Sequence, residues 1–171
     1  MAYRITSHGT IGNQPIADTS TTRNHPIGTI VQAISDDSTP LGGEFIYLLG
    51  VANTVVGLIV TYDASTGQTA LTANTVQQNK PTAVAMSANV ASQYGWYQIA
   101  GYATVKKNAT AVSPGIKLFQ SSTTGRVAGT GVTSVGKLWE NAQAANVATV
   151  ASATSTVTVN INRPFFSGAA S

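Results

Sequence analysis

The stretch Gly57-Leu-Ile-Val-Thr-Tyr-Asp-Ala-Ser-Thr-Gly67 has the same pattern as the later stretch Gly115-Ile-Lys-Leu-Phe-Gln-Ser-Ser-Thr-Thr-Gly125. Each begins with glycine, continues through an apolar run and a polar run, and closes with Thr-Gly. A short apolar run bounded by turn residues is typical of a β-strand, and the closing glycine can supply the positive φ of a hairpin turn. The pattern predicts two related β-hairpins, with Asp63 as a turn former rather than a catalytic acid. Chance agreement in a sequence rich in glycine and threonine is the alternative.

Other short strands are predicted on both sides of these hairpins. Near the C-terminus, apolar and polar residues alternate, which is the period of a strand with one buried face; the apolar ones are Val157, Val159 and Ile161. The Ala-rich residues 141–153 also allow a short helix, because alanine is the best helix former. The predicted strands are 29–34, 45–49, 55–62, 69–72, 83–86, 96–105, 116–119, 126–128, 137–139 and 157–162. This spacing predicts an all-β fold, either a small barrel or a sandwich.

The two ends of the chain differ from this β-rich body, which we place at residues 27–162. Residues 1–26 are polar and rich in turn formers, and such a segment cannot bury enough apolar surface to order itself. We therefore predict an extended N-terminal arm at 1–26, in which His8 and His25 are solvated. Residues 163–171 are predicted to form a short C-terminal tail, whose Phe165 and Phe166 would dock on a neighbour.

Charge is scarce in this chain. Charged residues make up 9% of its 171 residues, against about 25% in average proteins. A surface with so little charge lacks the usual protection against self-association, so we expect other subunits to cover much of it. The net charge is +3, but apart from the adjacent Lys106 and Lys107 the basic residues are scattered. A nucleic-acid surface would cluster them, so no nucleic-acid partner is predicted.

No constellation of catalytic or metal-binding residues is recognisable in the sequence. Cysteine is absent, and neither His8 nor His25 has a set of further metal ligands close by. The few acidic residues show no pairing across a cleft, and no G-x-S-x-G motif is present. We expect a protein without catalytic activity, metal or cofactor.

Two short motifs match functional patterns but lack their context. The run Gly131-Val-Thr-Ser-Val-Gly-Lys137 fits G-x-x-x-x-G-K, yet Leu138 stands where a phosphate-binding loop needs Ser or Thr. The run Asn108-Ala-Thr110 fits an N-glycosylation acceptor, but no signal peptide is predicted at the N-terminus. No run of about 18 apolar residues is present, so no membrane partner is predicted.

The aromatic residues cluster in Tyr94-Gly-Trp96-Tyr97, with Tyr102 further on. Exposed aromatic rings on a β surface can bind sugars or stack on bases. Aromatic side chains also fill cores and anchor interfaces, and this second interpretation is favoured. A sugar-binding platform made by Tyr94, Trp96 and Tyr97 is the alternative.

Roughly residues 44–162 of the chain resemble a known family. The runs Gly115-Ile-Lys-Leu-Phe-Gln120, Gly125-Arg-Val127, Val135-Gly-Lys-Leu-Trp-Glu-Asn-Ala142 and Val157-Thr-Val-Asn-Ile161 are similar to the C-terminal half of small bacteriophage capsid decoration, or cement, proteins. The run Tyr94-Gly-Trp-Tyr-Gln-Ile-Ala-Gly101 also resembles phage structural proteins. The resemblance implies a β-barrel or β-tulip module, usually trimeric, that clamps major capsid protein subunits and has no active site.

The expected function is therefore that of a structural virion protein made in the host cytoplasm and placed on the capsid exterior. Its expected partners are the major capsid protein and two further copies of itself, as a homotrimer. The residues expected to contact the capsid or a neighbouring subunit are Tyr3, Arg4, His25, Trp96, Tyr97, Phe165 and Phe166. The competing interpretation is a carbohydrate- or receptor-binding β module of a tail or fibre.

Overall fold

The computed structural model describes residues 3–6, 14–36, 42–72, 79–129 and 137–167. Within these residues every regular element is a β-strand and no helix is present, so the all-β prediction is confirmed. The strands are β1 (Tyr3–Ile5), β2 (Thr19–Ser20), β3 (Ile30–Ser35), β4 (Gly42–Leu49), β5 (Ile59–Tyr62), β6 (Thr69–Leu71), β7 (Thr82–Ala85), β8 (Tyr94–Lys106), β9 (Lys117–Gln120), β10 (Val127–Ala128), β11 (Leu138–Ala144) and β12 (Thr156–Phe166). His8, residues 131–136 of the glycine motif and residues 168–171 of the predicted tail lie outside the described residues.

The long strand β8 organises the sheet. Strand β4 pairs with it along residues 94–101 and β12 along residues 100–106, while β2 and β7 pair with its first half. The order through the sheet is β1-β3-β4-β8-β12-β11-β9-β10, and β5, β6 and β7 form a branch that joins β8 through β7. The paired strands run antiparallel, which allows one side of the sheet to be buried and the other to face solvent.

Both hairpins predicted from the repeated pattern are confirmed. Strands β5 and β6 pair around the turn at 63–67, and strands β9 and β10 pair around the turn at 121–125. The closing glycines, Gly67 and Gly125, have φ angles of 68° and 72°, a conformation that only glycine adopts readily. The two hairpins also meet, because the Gly125 carbonyl accepts a hydrogen bond of 2.8 Å from the Ile59 N–H.

The core is built from the alternate residues that face inward along these strands. The alternation predicted for β12 is confirmed, since its odd-numbered apolar residues are buried: Val157, Val159 and Ile161. Trp139 of β11 stacks on Phe166 with ring centroids 6.1 Å apart. Its indole Nε1 donates a hydrogen bond of 2.9 Å to Thr82 Oγ1, so burial of the indole leaves no donor unpaired.

The short helix allowed by the Ala-rich residues 141–153 does not form. Residues 138–144 are strand β11, which pairs with β9 on one side and β12 on the other. Further on, Val150 bridges back to Val112. Helix propensity differs by less than about 1 kcal/mol per residue among ordinary residues, so pairing on both sides and burial outweigh it.

The predicted boundary between an arm at 1–26 and the body is wrong for residues 14–26. Ile16 is only 1% exposed, and Gln14 and His25 are buried as well. Strand β2 within this segment pairs with β8, and β1 ahead of it pairs with β3. The polar composition misled the prediction, because hydrogen bonds to the body satisfy these side chains and permit their burial.

The predicted C-terminal boundary at residue 163 is also wrong. Strand β12 continues to Phe166, which is buried against Trp139 within its own chain. Pro164 cannot donate to a ladder, and it lies where the pairing with β11 is irregular.

Candidate interaction surfaces

The aromatic cluster identified in the sequence lies inside the protein. Trp96 and Tyr97 are 0% exposed. The ring centroids of His25 and Tyr47 lie 5.2 and 5.0 Å from that of Trp96. The prediction that His25, Trp96 and Tyr97 contact a partner is therefore wrong, because each is enclosed by its own chain. The alternative of a sugar platform at this position fails for the same reason, and Tyr94 stacks on Tyr47 with ring centroids 6.1 Å apart.

Gln14 joins residues 14–26 to this cluster. Its Oε1 accepts hydrogen bonds from Tyr47 OH at 2.9 Å and from Asn24 Nδ2 at 3.0 Å. Its Nε2 donates to the carbonyls of Asp18 at 2.8 Å and Tyr94 at 3.1 Å. All four hydrogen-bonding positions of the amide are used, as a buried amide requires. Sequence reasoning missed Gln14, because a single glutamine in a polar segment belongs to no recognisable pattern.

The backbone at Gln14 makes two more contacts with the cluster. Its carbonyl accepts a hydrogen bond of 2.9 Å from Trp96 Nε1, and its N–H donates to His25 Nε2 at 3.4 Å. An imidazole nitrogen that accepts a hydrogen bond is unprotonated, so the neutral form of His25 fits this site. Burial lowers the pKa of His25 from its usual 6.5, which also favours the neutral form.

The remaining predicted contact residues do not form one surface. Arg4 Nε lies 3.4 Å from Asp36 Oδ1 in an exposed ion pair, which contributes little to stability. Tyr3 is half-buried, with its ring 5.2 Å from that of Phe45. Phe165 is 36% exposed and lies on β12. In the sheet, strands β3, β4 and β8 lie between β12 and β1, the strand that carries Tyr3 and Arg4. Phe166 is buried and is not a contact residue.

A wide polar area lies on the solvent side of β8, β12, β11 and β9, and we call it the polar sheet face. One row of directly opposed residues crosses all four strands: Tyr102, Asn160, Gln143 and Lys117. The next rows pair Thr104 with Thr158 and Lys106 with Thr156. Most side chains here carry hydroxyl or amide groups and few are charged. The polar sheet face is therefore as poor in charge as the chain as a whole.

A cleft of about 440 Å³ opens at one end of the polar sheet face, where the pairing of β11 and β12 is irregular. Its polar lining consists of Lys117, Glu140, Asn141, Gln143, Asn160 and Asn162. Because four of these six side chains are amides, we call it the amide cleft. No pattern in the sequence predicts it, since its residues come from three strands.

A second depression, of about 330 Å³, is mostly apolar. Its lining residues come from β1, the segment after Gln14, the loop before β5, and β7 and β8, and they include Tyr3, Ile16, Val56 and Met86. Val56 in this lining and its chain neighbour Val55 are about half exposed, at 55% and 44%. Exposed valine side chains beside an apolar depression are typical of a surface that another molecule covers.

Lys107 does not belong to the surface, although the sequence places it in the one pair of adjacent basic residues. Its Nζ is enclosed and donates to the carbonyls of Thr110 at 2.7 Å, Asn108 at 3.2 Å and Ser152 at 3.4 Å. Burial lowers the pKa of Lys107. The side chain therefore ties two loops together, and only Lys106 of the pair faces solvent.

Asp63 is the one carboxylate whose pKa is strongly shifted in the described ranges. Hydrogen bonds from the Ser65 hydroxyl, the Thr66 N–H and the Ser65 N–H lower its pKa to about 2. These donors belong to its own turn, so the prediction of a turn former is confirmed. No group of three or more potential metal-ligating side chains occurs among the residues that the structure describes.

Within the described part of the chain, no helix is long and apolar enough to cross a bilayer. Comparison with known proteins found no matching family model, no similar curated protein and no similar solved structure.

Proposed function

We propose that this chain is a structural virion protein that binds the outer surface of a bacteriophage capsid and stabilises the lattice of the major capsid protein. In this proposal it acts as a homotrimer of small β-barrel or β-tulip modules, as the resemblance over roughly residues 44–162 implies. It performs no reaction and needs no cofactor.

The polar sheet face is the observation that carries the proposal. Covering a hydroxyl or an amide costs much less free energy than covering an ion, provided that the partner supplies hydrogen bonds. A face made mainly of threonine and amide side chains is therefore suited to contact with other subunits. Lys106 and Lys117 at its margins would favour an acidic region of the partner.

The apolar depression gives further support. Val55 and Val56 offer apolar area that a second subunit could cover. Neither surface alone needs to bind tightly, because a trimer attached at several points gains affinity through effective concentration. Modest contacts repeated around a capsid are what a cement protein requires.

Copy number in purified particles tests this proposal. Particles from the source culture are banded on a density gradient, and the ratio of this chain to the major capsid protein is measured by quantitative mass spectrometry. A ratio near one to one supports the cement role. A few copies per particle would instead indicate a tail or fibre component, and recovery only in the soluble fraction would remove the virion role.

The carbohydrate- or receptor-binding module of a tail or fibre is the alternative function. Its predicted platform of Tyr94, Trp96 and Tyr97 is not accessible, because the last two rings are buried. A saccharide would need another surface, and the amide cleft is the observation that favours one.

A further inference from the structure

We infer that the amide cleft is a binding site for a neutral saccharide. The cleft lies outside the aromatic cluster, and its use does not depend on the proposed capsid role. Its volume of about 440 Å³ falls within the range of about 300–1,000 Å³ that is usual for small-molecule sites.

An irregular segment of backbone creates the cleft. Glu140 is opposite Phe165 and Ala142 is opposite Ile161, so the single residue Asn141 faces residues 162–164. Such bulges bend a strand and re-aim its side chains. Two residues here have a left-handed backbone conformation, which is uncommon for residues other than glycine: Asn141 has a φ of 57° and Arg163 a φ of 48°.

The Arg163 side chain makes an ion pair outside the cleft. Its Nη2 lies 2.7 Å from Glu44 Oε2 on strand β4. Arginine rarely adopts a positive φ, and such strain concentrates at sites that bind ligands. The ion pair also draws the Arg163 charge toward β4, which leaves the uncharged Asn162 on the cleft side.

The cleft presents amide groups that lack partners in the protein. The side chains of Asn160 and Asn162 are exposed, and their amide groups make no hydrogen bond with another residue that the structure describes. Gln143 uses its Nε2 to donate to the Gly115 carbonyl at 2.9 Å, which leaves its Oε1 free to accept. Each amide offers donors and an acceptor in one plane, a pattern that matches the neighbouring hydroxyls of a sugar ring.

The polar lining favours an uncharged polar ligand. Lys117 and Glu140 contribute one charge of each sign, so neither an anion nor a cation gains a net attraction. An apolar ligand would strip water from the amides without replacing their hydrogen bonds. Tyr102, which is directly opposite Asn160 and 42% exposed, lies beside the cleft and outside its lining. A neutral saccharide can exchange hydrogen bonds with the amides without needing a net charge in the cleft.

Nuclear magnetic resonance with the full chain tests this inference. ¹H–¹⁵N spectra are recorded while neutral hexoses, deoxyhexoses, N-acetylhexosamines and their disaccharides are added, with glucuronic acid as the charged comparison. We expect at least one neutral sugar to shift the side-chain amide signals of Asn160 and Asn162, with a dissociation constant on the order of 1 mM.

Matched variants locate the site. The double variant Asn160→Ala with Asn162→Ala removes two exposed side chains, so the fold is retained, and it should weaken binding at least tenfold. Thr158→Ala lies on the same face of the same strand but outside the cleft, and it should bind like the original chain.

Three results would overturn the inference. One is the absence of any shift with all neutral sugars at about 50 mM, well above the expected dissociation constant. The second is a set of shifts located away from the cleft, and the third is binding of glucuronic acid alone. None of these results bears on the copy number of the chain in particles, so the two proposals fail separately.

Discussion

Replacing Gln14 by alanine tests whether residues 14–26 belong to the folded body. The substitution removes four side-chain hydrogen bonds, to Tyr47, Asn24, Asp18 and Tyr94. At about 1 kcal/mol net for each bond, the expected loss is about 4 kcal/mol. Total stabilities of domains are about 5–15 kcal/mol, so the variant should be severely destabilised.

Urea unfolding followed by tryptophan fluorescence measures this loss, because Trp96 and Trp139 are both buried. With a slope of about 2 kcal/mol per molar urea, the midpoint should fall by about 2 M. Gln143→Ala is the matched control, since its exposed amide makes one hydrogen bond, and its midpoint should change by less than about 0.3 M. If Gln14→Ala also shifts the midpoint by less than about 0.5 M, residues 14–26 are an independent arm and the reasoning is refuted.

Three further predictions concern backbone conformation and titration. Gly101→Ala should destabilise the chain by at least about 2 kcal/mol more than Gly28→Ala in the same urea assay. Both glycines have a positive φ, but only the methyl group added at Gly101 would clash with the Gly42 carbonyl oxygen. Equal losses of stability would contradict this. Burial lowers the folded-state pKa of His25 from 6.5, so its contribution to stability is complete above that pH and is lost as pH falls through the lower pKa. The melting temperature of the original chain should therefore fall more steeply below pH 6.5 than that of His25→Gln, and parallel curves would disprove it. The Asp63 carboxyl should titrate by NMR near its pKa of about 2, and a value close to 3.8 would mean that the turn's hydrogen bonds do not form.

Local patterns were sufficient to predict the all-β class and several elements. The repeated glycine pattern predicted both hairpins, and the alternation around Val159 predicted the buried side of β12. These signals succeed because turn geometry and a period of two depend on neighbouring residues alone.

Contacts between distant parts of the chain could not be predicted in the same way. Gln14 is buried because Tyr47 and Trp96, far away in sequence, supply its hydrogen-bonding partners. The Ala-rich strand β11 is fixed by two neighbours, which outweigh the helix propensity of alanine. The prediction of a free C-terminal tail was wrong for the same reason, since Phe166 is buried against Trp139, a residue distant in sequence.

The candidate surfaces could likewise be predicted only in part. Composition predicted a surface with few charges, and the polar sheet face has this character. The amide cleft could not be predicted, because it depends on the register shift between Glu140 and Ala142 and on residues from three strands. The aromatic cluster around Trp96 proved to be core, one of the two roles that the sequence favoured for it.

Binding to capsids assembled without this chain tests the central proposal most directly. Purified chain is added to such capsids, and both co-sedimentation and the temperature of capsid disassembly are measured. The account predicts saturable binding that raises the disassembly temperature, blocked by Thr158→Arg on the polar sheet face and unaffected by Ser65→Arg at the exposed hairpin turn. A chain that remains in the supernatant and leaves the disassembly temperature unchanged would contradict it.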